Sequence, residues 1–212
     1  MYVPGHFRAE DRAKITAVIH ANSFATLTTQ GQGGLTTSHL PFLYDETAGP
    51  NGTLYAHLAR ANGQWRDFAP ANAPEALVVF QGEHGYISPR WYASFPATPH
   101  VPTWNYEAVH AYGAPRILED PKRVVDVLAR TIRRYEPANS GYTVESHSAA
   151  FLERMTQAIV AFEIPVTRLE AKFKLSQNRT KEDLASAIHA LEQLGDPASL
   201  RLAAAMRREQ TA

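Results

Sequence analysis

The segment SFATLTTQGQGGLTTSHLPFLY, residues 23–44, predicts an antiparallel fold. Apolar and polar residues alternate in SFATLTT and again in GLTTSHLPFLY, as expected for strands with one buried face. The turn QGQGG between them is too short for a parallel crossover. A third alternating segment, TLYAHLA at residues 53–59, follows after the turn DETAGPNG. The sheet is therefore expected to begin as an antiparallel meander.

Helices are predicted outside this meander. Apolar residues at helical spacing indicate a first helix over roughly residues 10–21, and Asp120-Pro121 marks a later helix start. Thr180 to Asp183 resembles a capping box. Six or so strands with helices inserted late predict an α+β protein built on an antiparallel barrel. We expect one domain over residues 1–195, with inserted helices at about 120–158, and a C-terminal helical tail at 196–212.

Composition limits the classes of function. Lys plus Arg equals Asp plus Glu, at 21 each, so no overall field attracts nucleic acid and direct DNA binding is not supported. The absence of cysteine excludes a disulfide scaffold, a Cys-based zinc site and a thiol nucleophile, and fits a reducing cytoplasm. No stretch approaches the roughly 18 apolar residues of a membrane span, and the N-terminus lacks a signal peptide. We expect a soluble cytoplasmic protein.

The sequence offers little for a metal or hydrolase site. None of the nine histidines lies four residues from another, and HExxH is absent, so no metal site is predicted. The glycines of QGQGG precede a strand and no Lys-Ser/Thr follows them, which indicates a hairpin turn and not a phosphate loop. No GxSxG elbow is present.

Polar residues near strand ends are more informative. In GLTTSHLPF, Ser38 lies on the face of Leu40, whereas Thr37 and His39 lie on the other. Arg60 and Asn62 follow TLYAHLA, where guanidinium and amide groups can hold a phosphate. From spacing alone, a solvated arginine and a simple Asn-Gly turn are the favoured explanation.

A second polar segment raises the same question. EAKFKLSQNRTKEDL, residues 170–184, alternates lysines with Phe173 and Leu175 and then leads into a helix. That pattern leaves Ser176-Gln177-Asn178 unexplained. Tryptophans and tyrosines in PRWYASFP and VPTWNY indicate core packing, a dimer interface or a flat wall for a planar cofactor, and sequence does not separate these alternatives.

Several of these segments together resemble a known family. The blocks MYVP, SHLPF, AHLARAN followed by QW, VVFQG, YISPRWY, PTWNYEAVHAYG and KFKLSQNR are similar to those of the PaiB-type FMN-binding negative transcriptional regulators. They run in family order from residue 1 to about 190. The sequence departs from the family at Gly63, where proline is usual, and at Ala171, where glycine is usual.

The resemblance implies a six-stranded split β-barrel, a homodimer, and FMN bound near the subunit interface. It implies that the isoalloxazine edge is lined by Thr37, Ser38 and His39. It implies that the ribityl chain and phosphate are faced by His57, Arg60 and Asn62. It implies that the site is completed by Lys174, Ser176, Gln177 and Asn178.

Three functions follow as hypotheses. The first is an FMN-binding negative regulator of transcription that acts directly or through flavin, metabolite or redox sensing. The second is an FMN-dependent oxidoreductase of the flavin reductase or pyridoxamine-phosphate oxidase kind, in which flavin itself carries hydride or electrons. The third is a cofactor-free binding module. The sequence has neither a helix-turn-helix for the first nor a dedicated proton donor for the second.

Overall fold

The computed structural model of the chain describes residues 1–68 and 74–210. Within them the strands are β1 (Phe24–Gly31), β2 (Gly34–Pro41), β3 (Leu43–Asp45), β4 (Thr53–Ala59), β5 (Ala76–Ile87), β6 (Thr103–Gly113), β7 (Arg116–Ile117), β8 (Ile159–Pro165) and β9 (Arg168–Lys174). The α-helices are α1 (Arg12–Ala21), α2 (Pro121–Tyr135), α3 (Ala149–Gln157), α4 (Lys181–Leu194) and α5 (Pro197–Gln210).

The strands form two sheets. The five-stranded sheet has the order β2-β1-β5-β6-β9, and the four-stranded sheet has the order β3-β4-β8-β7. The pairs β1–β2, β1–β5, β3–β4, β4–β8 and β7–β8 are antiparallel. The antiparallel α+β character is confirmed. The expected single six-stranded barrel is wrong: the described residues form nine strands in two sheets.

The predicted meander divides because its second strand is interrupted. Residues 34–44 were expected to form one strand, but β2 ends at Pro41, and β3 then pairs with β4 in the other sheet. Proline has no N–H for a ladder hydrogen bond and is therefore typical of strand ends. Phe42, which is 2% exposed, instead donates its N–H to Ser23 O at 2.8 Å. The hairpin β1–β2 is confirmed, with Gly31 paired to Gly34.

The chain divides into two compact units, which are described separately. Unit 1 comprises Met1–Asn22, Gln81–Val109 and Glu170–Ala212; unit 2 comprises Ser23–Phe80 and His110–Leu169. The predicted division into residues 1–195 and a tail at 196–212 stays a prediction, and residues 211–212 of that tail lie outside the described residues.

Unit 2 has an aromatic core beside a helix-covered sheet face. The ring of Phe162 lies 6.2 Å from that of Phe42 and 4.8 Å from that of Phe68, and all three side chains are buried. Helix α2 packs Val124 and Val127 against Leu118 and Ala161. The predicted start of α2 is confirmed, since the Asp120 carboxylate accepts the N–H of Lys122 at 2.9 Å.

Unit 1 is built around three helices. Their buried residues are Ile15, Val18 and Ile19 of α1; Leu184, Ala187, Ile188 and Leu191 of α4; and Leu202, Ala203, Ala205 and Met206 of α5. The start of α4 is as predicted, because Thr180 Oγ1 accepts the N–H of Asp183 at 3.2 Å. Gly195 ends α4 with φ 71°. No helix within residues 1–68 and 74–210 has the length and apolarity needed to cross a membrane.

Candidate functional site

One polar surface of unit 2 lies on the β1–β2 hairpin. The register places Thr28 opposite Thr37 and Thr26 opposite His39. The hydroxyl oxygens of Thr28 and Thr37 are 3.1 Å apart, and Thr26 Oγ1 is 3.2 Å from His39 Nδ1. Thr37 and His39 are exposed. This face therefore presents hydroxyl groups and one imidazole at the surface.

Ser38 lies on the opposite face of β2, as the alternation predicts. Its hydroxyl accepts a hydrogen bond from Asn62 Nδ2 at 3.0 Å, and Asn62 Oδ1 accepts the N–H of Gln64 at 3.1 Å. The structure thus brings Ser38 and Asn62 together. It places Thr37 and His39 on the other side of the same strand.

Gln64 is a residue that sequence reasoning missed. Its side chain is buried, with Nε2 donating to Thr29 Oγ1 and to Thr36 O, each at 3.1 Å. Its Oε1 is buried without a hydrogen-bond partner among the described residues. Gln64 follows Asn62-Gly63, which reads as an ordinary turn, so its sequence gave no sign of a buried acceptor.

Arg60 anchors the end of β4. Its Nε donates to Gln157 O and its Nη2 to Ile159 O, both at 2.7 Å. Its main-chain N–H donates to Ala158 O at 2.8 Å. Two of the side-chain donors are therefore engaged with main-chain carbonyls where α3 gives way to β8.

His57 lies on the α2 side of β4. Leu54, Ala56 and Leu58 are buried on one face, so alternation places His57 with Tyr55 on the other. Tyr55 packs on the α2 cluster and carries the Arg130 guanidinium 4.6 Å from its ring centre. Burial lowers the pKa of His57, which favours the neutral imidazole.

The second polar surface is in unit 1, around the end of β9. Lys174 Nζ donates to Thr103 Oγ1 and, at 2.6 Å, to Trp104 O. Burial, followed by the charges of Lys172 and Arg179, holds the pKa of Lys174 below its usual value. Lys172, Lys174 and Arg179 are called the cation cluster below.

The acidic residue on which the charge of the cation cluster acts is Asp183, whose pKa Arg179 helps to lower. Lys172 is only 8% exposed; its Nζ donates to Tyr2 O at 3.2 Å and lies 5.3 Å from the ring centre of Tyr106. None of the three cations forms a salt bridge with Asp or Glu in the described part of the chain. A buried lysine held by π faces and carbonyls, without a carboxylate, is suited to receive an anion.

Ser176 is fixed by a buried amide. Ser176 and Asn105 are 3% and 0% exposed, and they exchange hydrogen bonds of 2.8 Å to Ser176 Oγ and 3.2 Å to Asn105 Oδ1. Ser176 has φ 68°, a left-handed conformation that costs free energy in a residue other than glycine. The bond to Asn105 holds the chain in this turn, directly after Lys174.

The side chain of Gln177 bonds main-chain groups on either side of the same turn's start. Its Oε1 accepts the N–H of Leu175 at 2.7 Å, and its Nε2 donates to Phe173 O. Asn178 is exposed. Of the four predicted residues in this segment, Lys174 and Asn178 present side-chain groups outward, whereas Ser176 and Gln177 shape the backbone.

Arg179 starts a chain of hydrogen bonds. Its Nη1 lies 3.0 Å from His100 Nδ1, His100 Nε2 lies 2.8 Å from Ser94 Oγ, and Ser94 Oγ donates to Asp183 Oδ2 at 3.0 Å. Arginine can only donate, so His100 Nδ1 accepts, its Nε2–H donates to Ser94, and Ser94 donates to Asp183.

This order differs from that of a hydrolytic triad, in which the histidine accepts the serine proton. The main-chain N–H of Ser94 and then its hydroxyl hold the pKa of Asp183 below its usual value. The chain therefore orients Arg179 and ties it to the first turn of α4.

An exposed aromatic surface also lies in unit 1. The rings of His84 and Trp104 are stacked, 6.2 Å apart with 24° between their planes, and Tyr86 lies 6.5 Å from Trp104. Trp104 is 50% exposed and Tyr86 47%. This exposure favours the planar-ligand and interface alternatives over core packing. The described residues contain no group of three side chains arranged for a metal ion.

Comparisons with known proteins agree with the resemblance noted from the motifs. Residues 1–168 match the family described as "Putative FMN-binding domain". "Protease synthase and sporulation protein PAI 2" of Bacillus subtilis is 34% identical over 207 residues, covering 97% of this chain and 96% of that relative. An uncharacterized protein of Emericella nidulans is 32% identical over 205 residues, covering 81% and 80%.

Solved structures share the fold at low identity. The flavocytochrome Anf3 of Azotobacter vinelandii superposes with TM-score 0.59 and 14% identity, covering 87% of this chain and 78% of that one. The FAD and heme binding protein of Mycobacterium smegmatis gives 0.58 and 14%, covering 84% and 79%. The sequence match decides the assignment: the chain belongs to the PaiB-type family of FMN-binding proteins, and FMN is its cofactor.

Proposed function

We propose that the protein is a flavin-dependent negative regulator of transcription, which acts directly or by sensing flavin, a metabolite or redox state. The observation that carries its flavin-binding part is the cation cluster, in which a buried lysine and two further cations form no salt bridge with Asp or Glu among the described residues. The regulatory part is supported by the name of the Bacillus subtilis relative, which refers to protease synthesis and sporulation.

The donor set of the cation cluster fits the phosphate of FMN. A flavin phosphate is close to a dianion, and it is held best by charge-assisted donors. The three cations of the cluster match this charge better than they match a neutral ribityl chain. Lys172, Lys174 and Arg179 would bind the phosphate, and Asn178 would add an amide donor. Ser176 and Gln177 would hold the turn that positions Lys174.

A separate proposal concerns polar residues of unit 2 as flavin contacts. Thr37 and His39 offer hydroxyl and imidazole groups on one face of β2, Ser38 and Asn62 offer a hydrogen-bonded pair on the other, and His57 and Arg60 lie on and after β4. We propose these six as flavin contacts. His57 would serve as a neutral hydrogen-bonding group, and Arg60 is the competing phosphate ligand.

When bound, FMN supplies reversible one- or two-electron transfer. A regulator would use this change as a signal, and an oxidoreductase would use it for turnover. In either role the proposed contacts would bind and orient the flavin. The sequence offers no dedicated proton donor that would favour the oxidoreductase over the regulator. We further propose a cytoplasmic homodimer, in line with the family resemblance and the cysteine-free sequence.

The phosphate assignment is tested by comparing FMN with riboflavin, which lacks the phosphate. Fluorescence titration of the wild-type protein should show tighter binding of FMN, and Lys174→Ala should remove most of that preference. Lys122→Ala, which alters an exposed lysine at the start of α2, is the matched control. If Arg60→Ala removes the preference while Lys174→Ala keeps it, the phosphate is held in unit 2.

The regulatory role has its own experiments. Labelled promoter DNA is titrated at physiological salt with the oxidised and reduced holoprotein, and NAD(P)H oxidation is assayed in parallel. Tight, sequence-dependent binding in one redox state supports direct regulation, whereas sequence-blind binding at micromolar or weaker affinity counts against it. Sustained turnover with a nicotinamide favours the oxidoreductase. Sedimentation equilibrium of the holoprotein tests the homodimer.

A further inference from the structure

The aromatic surface of unit 1 is formed by His84, Tyr86 and Trp104. The three rings come from neighbouring strands, since β5 carries His84 and Tyr86 and β6 carries Trp104. The ring centre of Trp104 lies 6.2 Å from that of His84 and 6.5 Å from that of Tyr86. Aromatic side chains carry a large apolar area that is usually buried. Three exposed rings side by side therefore indicate a binding surface.

Hydrogen bonds on both sides of Trp104 connect this surface to the cation cluster. Thr103 Oγ1 accepts a hydrogen bond from Lys174 Nζ, and Trp104 O accepts one from the same ammonium group at 2.6 Å. Asn105 Nδ2 donates to Ser176 Oγ at 2.8 Å. Three consecutive residues of β6 thus bond the segment that carries the cluster, and they hold Lys174 next to the main chain of Trp104.

The indole and the two lysines also share one face of the sheet. Along β6 the side chains of Trp104 and Tyr106 lie on the same face, and along β9 those of Lys172 and Lys174 do. Strands β6 and β9 are neighbours, and Lys172 Nζ lies 5.3 Å from the ring centre of Tyr106. The aromatic surface and the lysines of the cation cluster therefore form one continuous face of unit 1.

This face suits a ligand in which a flat ring is joined to an anionic group. A flat ring stacks on an exposed aromatic side chain, whereas an aliphatic group needs walls that enclose it. The ammonium groups of Lys172 and Lys174 suit a phosphate. FMN contains both parts, because a ribityl chain joins its isoalloxazine ring to its phosphate.

We infer that the indole of Trp104 binds the face of the isoalloxazine ring, with His84 and Tyr86 beside it. The inference rests on the proposed phosphate site at the cation cluster, and it uses residues of unit 1 alone. It gives the two parts of this face different roles. Trp104 selects a flat aromatic ring, and the cation cluster selects the phosphate that is joined to it.

Fluorescence titration of the full-length protein with FMN and with riboflavin tests this role of Trp104. Trp104→Leu should weaken the binding of both flavins by the same factor, about tenfold, because one stacking contact is lost. Trp104→Phe should restore most of the affinity, since phenylalanine keeps a flat ring and leucine does not. Tyr142→Leu is the matched control: Tyr142 is 47% exposed, lies in unit 2 and is outside the aromatic surface.

Lys174→Ala separates this inference from the phosphate assignment. It should weaken the binding of FMN and leave that of riboflavin unchanged. If Lys174→Ala has this effect and Trp104→Leu changes neither affinity, the inference is overturned and the phosphate site stands. If Trp104→Leu weakens both flavins and Lys174→Ala weakens neither, the ring site stands and the phosphate is held elsewhere.

A subunit interface is the competing use of the aromatic surface. Sedimentation equilibrium of the Trp104→Leu protein decides between the two: a lower mass with unchanged riboflavin affinity overturns the inference. Should Trp104→Leu fail to fold in urea titrations, His84→Ala keeps the indole and removes the ring stacked on it. The affinity for both flavins should then fall by about threefold, and unchanged affinity overturns the inference.

Discussion

Lys172 and Glu107 are both buried charges on strands of unit 1, and they are accommodated in different ways. Lys172 lies against the ring of Tyr106 and donates to Tyr2 O, and it forms no salt bridge with Asp or Glu in the described part of the chain. Glu107, the next residue after Tyr106, accepts a main-chain N–H and lies 3.8 Å from Arg208. The adjacent residues Tyr106 and Glu107 of β6 thus lie on opposite faces of the strand, one beside a lysine and the other within ion-pair distance of an arginine.

The comparison teaches that burial alone does not identify a functional charge. A buried ion costs several kcal/mol unless it is paired and hydrogen-bonded. The charged form of Lys174 is also disfavoured, since burial and then the charges of Lys172 and Arg179 lower its pKa. The surroundings of Lys172 and Glu107 should therefore respond differently when these charges are removed.

The largest expected effect comes from Asn105→Ala. Asn105 holds Ser176 in its left-handed turn after Lys174, and its loss leaves a buried hydroxyl without its partner. The free energy of unfolding should fall by about 2–3 kcal/mol in urea titrations. Asn178→Ala, at an exposed position of the same turn, should change it by less than about 0.5 kcal/mol. Equal effects of the two variants would contradict the role given to Asn105.

Gly82→Ala probes the space around Glu107. The added Cβ would lie 2.9 Å from Glu107 Cβ, which forces a shift in a packed region. We expect a loss of about 1–2 kcal/mol in the free energy of unfolding. Gly5→Ala is the control, because a Cβ there meets no atom within 4 Å. Full stability of Gly82→Ala would show that Glu107 moves freely.

Lys172→Met separates binding from folding. Removing this buried cation strands no carboxylate, so the stability of the apoprotein should stay equal or rise. FMN affinity should fall by about tenfold, since a charge-assisted contact to the phosphate is lost. Thermal unfolding and flavin fluorescence measure the two quantities. Lower stability with unchanged FMN affinity would make Lys172 a structural residue.

The smallest expected effect concerns pH. The pKa of folded Lys174 is depressed, and a bound anion raises it, so FMN binding should take up protons and weaken as pH rises through that depressed pKa. In the apoprotein the unfolded state binds more protons between the depressed and the ordinary lysine pKa, so stability should rise with pH in that window. Calorimetry in two buffers of different ionisation enthalpy counts the protons, and Lys174→Met should abolish the uptake.

Much of the local structure could be predicted from sequence. The caps at Asp120 and Thr180 depend on near neighbours, and both were found. In β6, Trp104 and Tyr106 lie on the less buried face, and such alternation is a property of the strand itself. The break at Phe42 was missed, since it depends on which sheet receives the following strand.

The candidate site was predictable in kind and not in arrangement. The lysines around KFKLSQN indicated an anion surface, but sequence could not show that Ser176 bonds Asn105 or that Arg60 bonds Gln157 and Ile159. The motif blocks contain Gln64 and Glu107, but nothing in the sequence indicated their burial, because it depends on residues distant in the chain.

By itself, the sequence determined the antiparallel α+β class, the capped helices and, through its motifs, the FMN-binding family, because these depend on local patterns and on characteristic residue blocks. Only the tertiary structure decided the division into sheets of five and four strands, the pairing of Asn105 with Ser176 and the burial of Glu107. Those features are set by contacts between segments tens of residues apart, and the burial that gives a charge its chemistry arises only when those segments pack together.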